Sequence, residues 1–144
     1  MYKHTQVGSL IFLIVVPVIL VMLGLSMIGP APYKPQVLIL SALLLALLIL
    51  FGTLTVSADS QHVSFRFGPG IIGRSFEYSD ITSASKVRNK WYCGWGIRRY
   101  GRGWLYNVSG LDAIELKLRN GKQVRIGTDE PDVLLQFITN RIKS

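Results

Sequence analysis

The sequence predicts a two-helix transmembrane hairpin followed by a mainly-β domain of about seven strands, closed by one amphipathic helix. Three observations carry this. Two long uncharged apolar runs fill most of the first 54 residues. The next stretch alternates apolar and polar side chains with turn residues between the runs. The last dozen residues switch to a helical period behind a capping signal.

The first run is uncharged from Thr5 to Tyr33. Within it, Val7 to Ile28 spans 22 residues, of which 17 are Val, Ile, Leu, Phe or Met. The second is uncharged from Pro35 to Ala58, and Val37 to Leu54 holds 13 such residues in 18. A bilayer-spanning helix needs about 20 predominantly apolar residues. Each contributes up to roughly half a kcal/mol to insertion near the bilayer centre. A cleaved signal peptide fits poorly, because its apolar part is shorter and no second span would follow. The spans are therefore read as about 7–28 and 37–54 within a hairpin of residues 1–54. Pro17 lies mid-span, where a bilayer helix tolerates the lost donor. Ala42 and Ala46 form a small-xxx-small pair that permits close helix approach. Gly29-Pro30-Ala31-Pro32 makes a short stiff turn.

Lys and Arg set the orientation. The turn carries Lys34 alone, whereas Lys3, Arg66 and Arg74 flank the other ends. Both termini are expected in the cytoplasm.

Residues 55–144 form the expected β-domain, with 14 of the 16 basic residues and all 8 acidic ones. A strand over Thr53 to Ala58 continues straight from the second span. Asp59-Ser60-Gln61 reads as a turn. Val63, Phe65 and Phe67 share one face of the next strand, and Gly68-Pro69-Gly70 turns the chain. Strands follow at Arg74 to Tyr78 and Ile81 to Arg88. Asn89 to Gly103 has no regular period. Trp104 to Val108 reads as a short strand. Ile114, Leu116 and Leu118 then alternate with charged residues up to Asn120-Gly121, a favoured two-residue turn, and Gln123 to Ile126 returns. Thr128 or Asp129 caps the last helix and Pro131 opens it. Leu134, Phe137, Ile138 and Ile142 form its apolar stripe, with Arg141 and Lys143 at the negative end of its dipole.

Composition excludes several chemistries. One cysteine, Cys93, excludes an internal disulfide and a cysteine zinc site. Gly68 to Gly73 matches a dinucleotide-binding glycine pattern, but a strand rather than a helix follows it. Asn107-Val108-Ser109 is a formal glycosylation acceptor that matters only in a secretory lumen. Asp59 and His62 meet across a turn without a third ligand or a nucleophile. No catalytic residue, metal site or cofactor is expected, and the chain is read as no enzyme.

The segment Ile81 to Leu111 has no acidic residue, six basic ones and six aromatics, including all three tryptophans. Lys90, Trp91, Trp95, Arg98, Arg99, Arg102 and Trp104 are its candidate binding residues. Indole rings favour the headgroup region and cations favour anionic lipid. A protein partner and a purely structural role for the tryptophans are the alternatives. Single-stranded nucleic acid suits the same mixture, but membrane tethering argues against it.

This order of strands and helix resembles the pleckstrin-homology (PH) fold, and in particular the membrane-anchored bacterial PH-like domain proteins. The resemblance rests on Phe67-Gly68-Pro69-Gly70, Gly94-Trp95-Gly96-Ile97-Arg98 and Gly121 to Leu134, and covers about residues 53–144. It implies a PH-like domain, membrane association and no enzymatic activity. Eukaryotic PH domains grip inositol phosphates with basic residues around the first hairpin, whereas Ser57 to Gln61 has none here. The expected protein is a multi-pass bacterial inner-membrane adaptor or surface-binding module. Its expected partners are the lipid bilayer, anionic headgroups and other membrane proteins. An accessory subunit of a larger membrane complex is the second reading.

Overall fold

A computed structural model describes residues 1–142. Lys143, expected at the end of the last helix, lies outside the described residues. The chain opens with β1 (Tyr2–Val7), then α1 (Ser9–Ile28) and α2 (Lys34–Phe51). The strands β2 (Thr53–Ala58), β3 (His62–Phe67), β4 (Ile72–Glu77), β5 (Ile81–Arg88), β6 (Gly96–Tyr100), β7 (Gly103–Asn107), β8 (Asp112–Leu118) and β9 (Gln123–Gly127) follow. The last element is α3 (Pro131–Ile142).

The hairpin is an insertion in the β-domain rather than a segment before it. β1 and β2 pair antiparallel from Tyr2↔Ala58 to Val7↔Thr53. Gly8 N–H then donates to Gly52 O at 2.8 Å, where the two helices begin to diverge from the sheet. Gly8 is small for a reason: a Cβ there would sit 3.1 Å from Val108 O and 3.2 Å from Gly52 O. This corrects the boundary at residue 54. Leu54 is fully buried in the β-core, so its apolarity serves that core, and Val7 belongs to a strand. The second helix begins earlier than expected, because Pro35 suits its first turn.

The helices hold 20 and 18 residues, roughly 30 and 27 Å of rise, enough to cross a hydrocarbon core. Apolar side chains cover every face of them. Leu13, Met27 and Ile28 are 74, 78 and 83% exposed. That much bare apolar surface is unstable in water. α1 runs unbroken through Pro17.

The β-domain is two sheets, ordered β1-β2-β3-β4 and β5-β8-β9-β7-β6. All pairings are antiparallel except β7 with β9. Among the described residues nine strands stand where about seven were expected. β1 and β6 are the additions, and β6 occupies the stretch that showed no period. Inward residues alternate as the period-two pattern requires. Phe65, Phe67, Tyr106, Ile114, Leu116 and Ile126 fill the space between the sheets. Phe65 and Tyr106 lie 4.3 Å apart at their ring centroids. Each such side chain contributes about 1.5–3 kcal/mol on burial.

Two turns settle details. Gly68 adopts φ +46°, and a Cβ there would strike the Ile49 carbonyl at the end of α2, so the β3–β4 turn rests on the hairpin. The β8–β9 turn has three residues, not two. Leu118 N–H donates to Lys122 O, and Gly121 alone has positive φ, at 77°. A two-residue type I′ turn needs positive φ at Asn120 as well.

α3 closes one side of the domain, as its apolar stripe implies. Leu134 and Ile138 are fully buried. Phe137 is a rim residue instead, 6.1 Å from the Tyr2 ring and 3.6 Å beneath the Arg141 guanidinium. Thr128 Oγ1 accepts the Glu130 N–H ahead of the helix.

Candidate functional site

The candidate residues fall into two groups on different elements. The first is the loop between β5 and β6. Asn89 anchors it: its N–H donates to Leu111 O at 2.7 Å and its Oδ1 accepts from Arg125 at 3.1 Å. Lys90 follows, then a single 3-10 turn over Trp91–Cys93. Lys90 and Tyr92 are exposed, and Trp91 is 78% exposed, with its ring edge-on to Tyr92. Trp95 meets the hairpin. With Ile97 it lines a cavity of about 380 Å³ whose far wall is Ile11, Val15, Leu44 and Phe51. Leu44 lies seven residues from the sheet end of α2, roughly 10 Å along its axis. None of the three tryptophans belongs to the buried β-core.

The second group lies where the two sheets fail to meet. β4 is the edge of the first sheet and β6 the edge of the second. Between them runs a cleft. Its apolar part, about 190 Å³, is lined by Phe65, Ile72, Ile97 and Tyr106. Its basic part, about 380 Å³, holds Arg74, Arg99, Arg102 and Lys122 around Phe76 and Trp104. Arg74 and Trp104 line both parts. No carboxylate lines either. Trp104 is 42% exposed, held in register by Arg99 on one side and Val124 on the other.

Strand alternation divides the arginines. Ile97 and Arg99 face the cleft, and Arg98 and Tyr100 face the opposite side of the sheet. Arg98 is exposed there, and its one polar contact among the described residues is a long one, 3.4 Å to Trp95 O. The Arg98–Arg99–Arg102 trio of the sequence is thus not one cluster. On that outer face Tyr100 donates to Glu115, and Arg125 donates to the same carboxylate at 2.8 Å. Burial alone pushes Glu115 up. The bonds from Tyr100 and Arg125 outweigh it and hold the carboxyl below its ordinary range. Burial, with the bond to Glu115, pushes Tyr100 up to about 12. This closed network is structural.

Two cleft residues escaped sequence reasoning, Arg74 and Lys122. They lie on β4 and in the β8–β9 turn, outside the basic-aromatic segment. The only local hint was that Arg74 alternates with Phe76 on one strand.

Other expectations resolve simply. Asp59 Oδ1 accepts N–H groups from Gln61 and His62, both at 2.8 Å. Those bonds hold its carboxyl below the usual range and mark a turn. Asn107 is 1% exposed, and its side chain donates to Gly110 O, so the formal glycosylation acceptor is a buried structural residue. Among the described residues no group of three or more His, Cys, Asp or Glu side chains is placed to hold a metal. Comparison with known proteins finds no matching family model and no matching curated protein.

Proposed function

We propose that this chain is a non-catalytic, membrane-anchored binding module: α1 and α2 cross the bilayer, and a PH-like β-domain rests on its surface. One observation carries the reading. The basic-aromatic loop folds back toward the apolar hairpin, so that Trp95 lines one cavity with Ile11, Val15 and Leu44. With the hairpin in a bilayer, Trp91, Tyr92 and Trp95 lie at headgroup depth, where such rings are favoured. Both helices run into paired strands without a linker, which keeps the domain at that surface. The cleft lining offers cations and aromatics, chemistry that suits binding an anionic ligand. The PH-like assignment draws on the four-stranded sheet, the second sheet and the closing helix. Against that resemblance the chain has two more strands, and the apolar hairpin stands in the first connection. A bacterial inner membrane with both termini cytoplasmic completes the reading, on the lysine and arginine distribution.

Cys93 makes this testable without mutation, because it is the sole cysteine and lies in the loop. A spin label on Cys93 of the full chain in phospholipid nanodiscs is expected to be relaxed more by oxygen than by an aqueous nickel complex. The reverse preference overturns surface contact. Impermeant thiol labelling in intact cells tests orientation: a cysteine at Ala31 in a Cys93→Ser background should label, and Cys93 should not.

The second reading, an accessory subunit of a larger membrane complex, draws on Ala42 and Ala46. Both are exposed, so this small face is free for another helix. Co-purification of one stoichiometric membrane protein, lost in Ala42→Leu/Ala46→Leu, would favour it.

A further inference from the structure

We propose that the cleft between β4 and β6 holds a single anionic phospholipid, its phosphate among Arg74, Arg99, Arg102 and Lys122 and an acyl chain along the apolar seam toward the hairpin. The inference rests on the membrane-surface reading above and adds to it a built site. It differs from a headgroup grip at the β2–β3 turn, where Ser57 to Gln61 has no Lys or Arg.

Charge is the first argument. The four cations converge on one cavity with no carboxylate in its lining, and none has an ion-pair partner among the described residues. Among the described residues two Lys or Arg side chains elsewhere in the domain have a carboxylate partner, Lys86 with Asp132 and Arg125 with Glu115; what sets the four cleft cations apart is that they share one cavity. A phosphate supplies the missing counter-charge, and Arg is suited to bidentate contact with it.

Continuity is the second. Three cavities follow one another by shared walls. Ile97 lines both the hairpin cavity and the apolar part of the cleft. Arg74 and Trp104 line both the apolar and the basic parts. The path therefore grades from helix surface through Ile72, Phe65 and Tyr106 to the cations. An amphiphile has that same gradient. A soluble anion would leave the apolar two-thirds of the path unused. An extended peptide would carry backbone N–H and C=O groups against the hairpin, where a bilayer offers them no partner.

The test uses the full chain in mild detergent and native mass spectrometry, with dioleoyl phosphatidylglycerol, dioleoyl phosphatidylcholine and glycerol phosphate as probes. One phosphatidylglycerol adduct per chain is expected, with saturable binding. Arg99→Ala/Arg102→Ala should weaken it by about twenty-five-fold, two cations at about a factor of five each. Arg88→Ala/Arg98→Ala removes the same charge outside the cleft and should change it less than about twofold, with circular dichroism as the folding control. Ile72→Trp, filling the seam, should reduce the diacyl lipid and leave glycerol phosphate unaffected. Equal loss in both arginine pairs overturns the cleft, because attraction is then a matter of net charge. Glycerol phosphate binding as tightly as the diacyl lipid also overturns it, in favour of a soluble-anion site. The spin label on Cys93 separates the two readings. An interfacial label without an adduct removes this inference alone, and an adduct with an aqueous label removes the surface reading alone.

Discussion

On one side of the β-domain, β1 and β5 flank α3; on the other, β4 and β6 flank an uncovered cleft. Both sides pose the same problem, since edge strands there leave the inner faces of two sheets open. α3 answers it by burying Leu134 and Ile138 completely. Carboxylates on that side are paired: Asp132 with Lys86 at 2.9 Å, Asp129 with the His4 ring at 2.8 Å, and Glu130 accepts from the Tyr2 hydroxyl at 3.1 Å. The β4–β6 side has Trp104 partly exposed and four cations without counter-charges. Three of the eight acidic residues sit on the helix side and none lines the cleft. A side that is finished internally serves stability. The other side, with apolar surface and uncompensated charge, is the one proposed above to take a lipid.

The largest expected effects concern β1, on the finished side. Removing residues 1–7 takes away the strand that pairs with β2, and the β-domain should then lose its cooperative thermal transition. Removing residues 9–51 should be tolerated. Gly8 and Gly52 are already hydrogen-bonded, so they become a two-residue turn, and Gly-Gly suits such a turn. Circular dichroism melting of the two shortened chains checks both, and a folded chain lacking residues 1–7 would show β1 to be ornamental.

Next come single substitutions that contrast the two sides. Leu134→Ala should cost about 2–5 kcal/mol, as buried Leu truncations do. Phe137→Ala should cost less, because its ring is a rim residue. Trp104→Ala should cost about 1 kcal/mol or less, although it removes the larger side chain, because nothing covers it. If denaturant melts place Trp104→Ala level with Leu134→Ala, the cleft is a second core and the comparison fails.

Alkaline pH tests the matched side. Burial, with the bond to Glu130, raises Tyr2 to about 12 from its ordinary value of 10.0. A raised phenol means that the folded state holds its proton longer than the unfolded state. That contribution is full below pH 10 and is lost as pH rises from 10 toward 12. Tyr2→Phe should flatten the stability profile in that window. An identical slope in wild type and variant would remove Tyr2 from the account.

The smallest effects belong to the cations. Lys86→Ala should destabilise by less than about 1 kcal/mol. Arg99→Ala and Arg102→Ala should be within about 0.5 kcal/mol of neutral, with a stabilising sign at low salt as repulsion is relieved. Clear destabilisation by either arginine change would mean that it has an internal partner.

The β6 strand shows why part of the fold was illegible. Gly96-Ile97-Arg98-Arg99-Tyr100 carries one aliphatic residue and begins with a glycine, so no apolar alternation marks it. It forms because β7 offers a ladder. β1 is similar: Tyr2 to Val7 is mixed in character, and its partner lies some fifty residues away across the hairpin.

The hairpin, the Gly68 turn and the stripe of α3 were local matters, and the sequence by itself determined them. Apolar runs, positive-φ glycines and helical periods act over a few residues, so their causes lie side by side in the chain. The cleft was decided only by tertiary structure. Arg74, Arg99, Arg102 and Lys122 come from β4, β6, the β6–β7 turn and the β8–β9 turn. Their convergence depends on which strand edges are left unpaired. That depends in turn on long-range pairing, including the parallel match of β7 with β9. Alternation also sent Arg98 to the opposite face from Arg99, a one-residue difference that composition cannot see.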